Sequence, residues 1–327
     1  MMPGNIQHQP RGRRQFIEHN NSLRVRSILS GNTREQIAVK NMELIKQRWD
    51  RLYPQITLKN IEILSLTDND YYKVTSTQNQ QFVIRLTDKD KTFTDVEVNY
   101  EHSVLEHLYS KGIPVTHTYP LKDGHYSKKF KCVDGLRYIA LQTFIEGDVG
   151  KADDLLGLAN SLATWHEQAQ TFDLQEQWAY SGNDMSNFFQ EKIQKLKDSP
   201  YKSALSDEDY SYMENLSQYI QKRCENYECN LSERREKYGP IHGDSNGKNH
   251  IRGLDDKVYI FDTDLIKSGP YSYDLAVMKW ALLLADKDVQ GTCSFDQFLE
   301  SYQKRYTLLE TDDLSLIHIS EPTRRAI

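Results

Sequence analysis

The hydrophobic pattern of the first part of the chain changes from helical spacing to short strands. Residues 33–53 place apolar side chains at helical spacing and predict an amphipathic helix that ends before Pro54. Residues 95–110 predict a second helix, which the glycine of Lys111-Gly112 would end. Runs rich in β-branched and aromatic residues predict strands at 61–64, 71–74, 82–86, 130–134 and 137–145. The pattern therefore indicates a sheet of about five strands with one intervening helix.

Beyond residue 146 the pattern becomes mainly helical. Helices are predicted at 153–170, 184–197, 207–229, 274–287 and 295–309, with one strand pair near 251–262. A β-rich region followed by an α-rich region predicts an α+β fold with two lobes. We assign residues 1–53 to a basic arm and a helix, 54–146 to an N-terminal lobe and 147–313 to a C-terminal lobe.

Composition narrows the class of protein. The 327 residues are 38% hydrophobic and 11% aromatic, which is enough for a packed core, and the net charge is −6. No run of 18 apolar residues is present, so the sequence predicts no transmembrane helix. The first 20 residues lack the apolar segment of a secretory signal, and the four cysteines form no CxxC pair. We expect a cytoplasmic protein with free thiols that binds neither nucleic acid nor membrane.

Both ends of the chain differ from its body. Residues 1–30 contain five arginines against the single acidic residue Glu18, which is typical of a solvated arm. The last 14 residues, LSLIHISEPTRRAI at 314–327, look like translated sequencing-adapter sequence. We expect this tail to be non-native and exclude it from the predicted fold.

The segment that indicates chemistry is His242-Gly243-Asp244, followed by Asn249. An apolar run at 257–261 then leads into Asp262-Thr263-Asp264. Phosphoryl transfer needs a carboxylate that orients the attacking hydroxyl, and an asparagine and a carboxylate that hold Mg²⁺ against the triphosphate. The alternative is a surface loop in which Asp and Asn only make turns. The upstream β-rich region and the carboxylates at the end of an apolar strand favour the site.

These motifs resemble those of the aminoglycoside phosphotransferase and choline kinase-like small-molecule kinases. The motif of that family is commonly written HGDxxxxN, followed by an apolar strand with IDFD and then by GP and YDLA. Here the matching residues are His242 to Asn249, Phe261 to Asp264, Gly269-Pro270 and Tyr273 to Ala276. The resemblance covers roughly residues 55–310 and implies a bilobal protein kinase-like fold, with the nucleotide between the lobes.

The resemblance also implies roles for individual residues. Asp244 is expected to be the catalytic base, and Asn249 and Asp262 the Mg²⁺ ligands. Asp264 is expected either to assist the metal or to contact the substrate. Asp274 is expected to cap the following helix and to fix the loop.

The nucleotide loop of the family often reads GGxxNxxYxV, and the match here is partial. Asn69, Tyr72 and Val74 keep the second half of the motif, whereas Ser65 and Leu66 occupy the glycine positions. Because glycine lets backbone amides approach phosphates closely, its absence puts a tight phosphate cradle in doubt.

The resemblance implies further nucleotide-binding residues in the N-terminal lobe. Arg85 falls at the position of the lysine that holds the α- and β-phosphates, and its guanidinium keeps the charge. Glu101 is the expected helix partner of Arg85, with Glu97 as the alternative. The segment around Gln142 and Phe144 resembles the hinge between the lobes, whose backbone would meet the adenine.

The sequence therefore predicts a kinase that uses Mg²⁺ and ATP to phosphorylate a hydroxyl of a small molecule. Amino sugars, amino alcohols, hydroxy amino acids and other sugars all stay open as acceptors, and so does the oligomeric state. The alternative is a pseudokinase-like binding or scaffold protein of the same fold, which the missing glycines and Arg85 would suit. His166 lies in a helical motif of the family and is expected to be a packed core histidine.

Overall fold

A computed structural model describes residues 33–91, 93–173, 190, 193–199, 202–228, 236–284 and 293–307. The predicted arm at 1–30, the predicted tail at 314–327 and most of the predicted helix at 184–197 lie outside these residues. The chain divides into two compact units, Met1–Thr92 with Pro120–Leu141 and Phe93–Tyr119 with Gln142–Ile327. We describe each unit by itself.

The first unit begins with helix α1, Arg34–Leu52, which the sequence predicts almost to the residue. Thr33 starts the helix through a capping box, in which its hydroxyl accepts from the Gln36 N–H and the Gln36 side chain accepts from the Thr33 N–H. One face of α1 is buried through residues such as Ile45 and Trp49. The indole N–H of Trp49 also donates to the carbonyl of Ile56 at 2.5 Å, which fixes the chain just after the helix.

The strands in the sheet of the first unit carry the apolar runs that the sequence predicts as strands. Their bounds are Leu58–Leu66 (β1), Asp70–Ser76 (β2), Gln81–Leu86 (β3), Ser127–Cys132 (β5) and Gly135–Thr143 (β6). The order is β1-β2-β3-β6, with β5 paired to β6. The prediction of strands at 130–134 and 137–145 was displaced, because residues 133 and 134 form the turn of the β5–β6 hairpin.

The second unit contains the remaining helices and the short strands. The helices are Asp95–Ser110 (α2), Leu155–Ala169 (α3), Asp207–Glu228 (α4), Tyr271–Leu284 (α5) and Phe295–Gln303 (α6). The strands are Thr118–Tyr119 (β4), Gly147–Val149 (β7), Tyr238–Ile241 (β8), His250–Gly253 (β9), Val258–Ile260 (β10) and Lys267–Pro270 (β11).

Two small sheets of the second unit position the polar segments that the sequence singles out. Strands β7, β9 and β10 form one antiparallel sheet, and β8 pairs with β11 in the other. One apolar core packs around them, and it includes Leu162 and Trp165 of α3, Ile241 of β8 and Met278 of α5. Among the described residues, no helix is long and apolar enough to cross a membrane.

Candidate active site

The HGD segment follows directly from β8, and its glycine has a conformation that only glycine adopts readily. Gly243 has φ +81°, in the left-handed region. A Cβ at this position would also lie deep inside the van der Waals contact distance of the Leu265 carbonyl oxygen. Gly243 therefore permits both the turn after His242 and the close approach of the segment that follows Asp264.

Replacing Gly243 by alanine is expected to destabilise the second unit strongly. Gly112 supplies the control, because it has φ +76° in the same unit but open space where its Cβ would stand. We expect about 1–2 kcal/mol for G112A, the cost of the left-handed backbone alone, and a clearly larger loss for G243A. Chemical denaturation measures both, and equal losses would show that the Leu265 carbonyl adapts without cost.

Asp274 holds the backbone of this segment. Its carboxylate accepts from the N–H of His242 at 2.8 Å and from the N–H of Gly243 at 2.9 Å. Its own carbonyl accepts from the hydroxyl of Ser245 at 2.6 Å. The predicted helix cap is wrong, because α5 begins at Tyr271 and Asp274 lies within its first turn. The other part of the prediction, that Asp274 fixes the loop, agrees with these bonds.

A buried histidine completes the surroundings of Asp274. His166 of α3 places Nε2 3.0 Å from the Asp274 carboxylate and Nδ1 2.8 Å from the hydroxyl of Tyr302. Both His166 and Asp274 are fully buried, as expected for the histidine. Because a carboxylate only accepts, we assign the proton of a neutral His166 to Nε2, so that the Tyr302 hydroxyl donates to Nδ1.

The environment shifts the pKa values of this pair downward. Burial lowers the pKa of His166 below its ordinary value of 6.5, although the hydrogen bond to Asp274 opposes this shift. Burial alone would raise the pKa of Asp274, but the hydrogen bonds from His166 and the His242 backbone hold it below its usual 3.8. The pair is therefore a neutral imidazole beside a carboxylate at neutral pH.

Asp244 lies half-buried between two asparagine amides. The Asn246 side chain donates to Oδ1 at 2.9 Å, and the Asn249 side chain donates to Oδ2 at 2.9 Å and to the Asp244 carbonyl at 2.8 Å. Each carboxylate oxygen keeps a further lone pair for another partner. The sequence pattern does not single out Asn246, since an asparagine two residues after an aspartate is also common in plain turns.

Asn249 and Asp262 lie at the same end of the β9–β10 hairpin. Asn249 immediately precedes β9, and its carbonyl accepts from the N–H of Phe261, which immediately follows β10, at 3.2 Å. Asp262 is the next residue and has φ +61°, an unusual backbone conformation for a residue other than glycine. The hairpin register thus places the asparagine and the carboxylate on adjacent strand ends.

The donor set at this hairpin end suits a magnesium ion. Because the Asn249 amide nitrogen donates to Asp244, its oxygen is the atom left for a cation, and the Asp262 carboxylate adds a second hard oxygen ligand. In the described part of the chain, no group of three or more His, Cys, Asp or Glu residues could hold a metal. Mg²⁺ is usually bound by one or two protein ligands together with phosphates and water.

His242 and Glu101 connect the segment around Asp262 to its neighbours. His242 accepts from the Asp244 N–H through Nδ1 at 3.2 Å, and its Nε2 lies 3.0 Å from the carbonyl of Phe261. His242 thus links the backbone of Asp244 to the strand end that precedes Asp262. Glu101 of α2 accepts at 2.7 Å from the hydroxyl of Thr263, a contact that the sequence did not predict. The pairing of Glu101 with Arg85 stays a prediction.

In the first unit, the loop between β1 and β2 forms without the glycines of the family motif. Ser65 pairs with Tyr71 and Leu66 with Asp70, which leaves a turn of three residues, 67–69. None of residues 65–70 has a positive φ. The side-chain oxygen of Asn69 accepts from the N–H of Asp88 at 2.8 Å and so joins the turn to the end of β3.

An ion-pair network surrounds Asp70, the residue that follows this turn. The buried carboxylate of Asp70 pairs with Arg34 of α1 at 2.9 Å and with the buried guanidinium of Arg137. Arg137 also donates to the carbonyls of Leu86 and Thr87, at the end of the strand that carries Arg85. The turn and the end of β3 are therefore held by charged side chains. Arg85 itself is 2% exposed.

The predicted hinge residues lie at the end of β6. Gln142 is buried, and Phe144 follows the end of β6. The backbone N–H of Thr143, between them, donates to the carbonyl of His117 at 2.9 Å. The roles of Gln142 and Phe144 in adenine binding stay predictions.

Solved structures of small-molecule kinases share this fold. The amicoumacin kinase hAmiN, in complex with AMP-PNP, Ca²⁺ and Ami, is 13% identical with a TM-score of 0.60, over 90% of this chain and 89% of that one. A microcompartment-associated aminopropanol kinase is 17% identical with a TM-score of 0.57, over 85% of each chain. The choline kinase LicA from Streptococcus pneumoniae is 15% identical with a TM-score of 0.53, over 86% of this chain and 85% of that one. The predicted α+β, protein kinase-like fold is confirmed.

Sequence comparison identifies the family. A model of the phosphotransferase enzyme family (APH) matches residues 60–313, and the chain therefore belongs to that family. The predicted resemblance to this family is confirmed. An uncharacterized protein of Deinococcus radiodurans is 25% identical over 229 residues, which are 69% of this chain and 64% of that protein. The match thus spans slightly less than two thirds of that relative.

Proposed function

We propose that the protein is a kinase that uses Mg²⁺ and ATP to phosphorylate a hydroxyl group of a small molecule. The observation that carries this proposal is the arrangement of Asp244 between Asn246 and Asn249, beside the strand end that leads to Asp262. A carboxylate held from both oxygens is oriented before any substrate binds. Such positioning is the main contribution of a protein to phosphoryl transfer.

In this proposal Asp244 orients the acceptor hydroxyl and takes its proton. The hydroxyl oxygen attacks the γ-phosphorus of ATP and forms the new P–O bond, while the bond from that phosphorus to the β–γ bridging oxygen breaks. The electron pair of that bond leaves with ADP, and the hydroxyl proton moves to a carboxylate oxygen of Asp244. The two asparagine amides keep both oxygens in place during this step.

Asn249 and Asp262 are the proposed ligands of Mg²⁺, through the amide oxygen of the former and the carboxylate of the latter. When bound, Mg²⁺ neutralises charge on the phosphate oxygens. The bond from the Asn249 amide to Asp244 ties the proposed metal ligand to the proposed base. Asp264 is proposed to assist the metal or to contact the acceptor.

Residues of the first unit and of the hinge are proposed to bind the nucleotide. Arg85 would contact the phosphates with Glu101 as its partner, Asn69 would shape the nucleotide loop, and Gln142 and Phe144 would flank the adenine. The turn at 67–69 forms without any residue in the left-handed region. The missing glycines are thus not needed for the backbone conformation of this turn.

For the acceptor we propose an amine-bearing alcohol, as in an amino sugar, an amino alcohol or a hydroxy amino acid. Two of the kinases with this fold carry the names of aminopropanol and choline. The chain also has a net charge of −6, which favours a cationic acceptor.

Two measurements test the proposed function. We expect Mg·ATP at millimolar concentration to raise the unfolding temperature, because a ligand at 100 times its Kd stabilises by about 2.7 kcal/mol. We also expect ADP release to rise above the background hydrolysis with at least one amine-bearing alcohol from a panel of hydroxyl compounds. A thermal shift without any ADP release, or no shift at all, would favour the pseudokinase-like binding protein.

A further inference from the structure

The backbone of Asp262 adopts a conformation that its surroundings must hold. At φ +61° it lies in the left-handed region, which asparagine and aspartate tolerate better than most residues but at a cost. Such a residue keeps this conformation only where neighbouring contacts determine it. The contacts on both sides of Asp262 therefore bear on whether its backbone keeps this conformation.

On the preceding side, the backbone of Phe261 is fixed through both of its polar groups. Its N–H donates to the carbonyl of Asn249 at 3.2 Å, and its carbonyl lies 3.0 Å from Nε2 of His242. Because Nδ1 of His242 accepts from a backbone N–H, a neutral imidazole carries its proton on Nε2 and donates it to this carbonyl. His242 and Asn249 thus hold the residue that precedes Asp262.

On the following side, the support comes from helix α2. The hydroxyl of Thr263 donates to the carboxylate of Glu101 at 2.7 Å, and both residues are at most 5% exposed. The neighbouring residue Tyr100 places its hydroxyl 2.5 Å from the hydroxyl of Ser268. Two successive residues of α2 therefore contact the two ends of the segment 263–268.

We propose that Thr263 is a positioning residue, whose hydrogen bond to Glu101 holds the segment 262–268 so that Asp262 keeps its left-handed backbone. A hydrogen bond between two buried side chains is costly to break, and a short side chain directly after Asp262 transmits it with little freedom. This inference rests on the proposed function where it assigns Asp262 to the metal. The structural part, that Thr263 clamps the segment, stands on the contacts alone.

Two substitutions separate the hydroxyl of Thr263 from its shape. T263V keeps the volume and removes the donor, whereas T263S keeps the donor and removes a methyl group. The first measurement is hydrogen–deuterium exchange without ligand. Each protein is measured at a temperature the same number of degrees below its own unfolding temperature. The amides of Phe261 and Ile266, which donate to Asn249 and Thr263, should exchange about tenfold faster or more in T263V and near the wild-type rate in T263S. Helix α6 provides amides whose exchange should not change.

The second measurement follows Mn²⁺ bound in the presence of ADP, by its paramagnetic signal, and needs no turnover. We expect T263V to bind Mn²⁺ about tenfold more weakly or worse, and T263S to bind it nearly as the wild type does. Wild-type exchange and wild-type Mn²⁺ binding in T263V would overturn the inference, as would a T263S variant as impaired as T263V. If the wild type itself binds no Mn²⁺ with ADP, the metal assignment of the proposed function is wrong, and the exchange rates still decide whether Thr263 clamps the segment.

Discussion

Replacing Asp244 by alanine is expected to lower kcat by about 10²- to 10⁴-fold, the contribution of a positioned general base. Binding of Mg·ATP should survive, because Asn249 also donates to the backbone carbonyl of residue 244, and this bond does not depend on the side chain. The variant should therefore show the wild-type thermal shift with Mg·ATP and almost no ADP release with a good acceptor. Loss of turnover with intact nucleotide binding is the pattern expected of the base.

A matched control removes a carboxylate that lies elsewhere in the same unit. Asp296 is exposed in the first turn of α6, and its replacement by alanine should leave both kcat and the thermal shift unchanged. If D244A retained wild-type kinase activity, the assignment of the base would be wrong. If D244A lost the thermal shift as well, the carboxylate would belong to nucleotide binding instead.

The second large effect is on stability, and it is expected from replacing Asp274 by alanine. This change leaves three buried donors without their acceptor, the N–H groups of His242 and Gly243 and the imidazole of His166. Leaving one buried donor without its acceptor costs about 1–3 kcal/mol, so three such donors together should cost about 3 kcal/mol or more. We expect a loss of this size in the free energy of unfolding of the second unit, measured by chemical denaturation.

Ser245 provides the graded comparison, because its hydroxyl makes a single bond to the Asp274 carbonyl. Its replacement by alanine should cost only about 1 kcal/mol. Equal losses of unfolding free energy in the two variants would contradict the view that the Asp274 carboxylate holds the backbone of His242 and Gly243.

The same pair predicts how stability depends on pH. Because the folded-state pKa of His166 lies below 6.5, the unfolded chain binds a proton at a higher pH than the folded chain does. The free energy of unfolding therefore falls as the pH drops below about 6.5. The folded-state pKa of Asp274 lies below 3.8. Its contribution to stability is therefore complete above pH 3.8 and is lost as the pH falls through the folded-state pKa. A variant with glutamine in place of His166 should lose less stability than the wild type between pH 6.5 and the folded-state pKa.

Local signals predicted the long elements well. Helix α2 begins and ends as predicted, because Thr94 and Glu97 form a capping box and Lys111 and Gly112 follow its last residue. The runs rich in β-branched and aromatic residues likewise predicted strands β1, β2 and β3. Strands β8 and β11 were missed, since each has four residues with glycine and proline, and only their pairing with each other makes them strands.

The site was only partly predictable, for a similar reason. The motif spacing indicated Asp244, Asn249 and Asp262, which the β9–β10 hairpin joins over a short stretch of chain. The partners of Asp274 are far away in sequence, with His166 108 residues upstream, and no local pattern connects them. The bond between Thr263 and Glu101 spans 162 residues and depends in the same way on the packing of α2.

The β9–β10 hairpin also indicates where this chain can change in length. Its tip, residues 254–257, is solvent-exposed, with Leu254 at 80%, and the ladder closes behind it through the N–H of Gly253 and the carbonyl of Lys257. An insertion there lengthens a surface loop at small entropic cost. One extra residue between Asn249 and β9 would instead shift the strand register and point every later side chain to the opposite face. Evolutionary insertions and engineered tags should therefore be tolerated at the tip and excluded from the opposite end, where Asn249 and Asp262 lie.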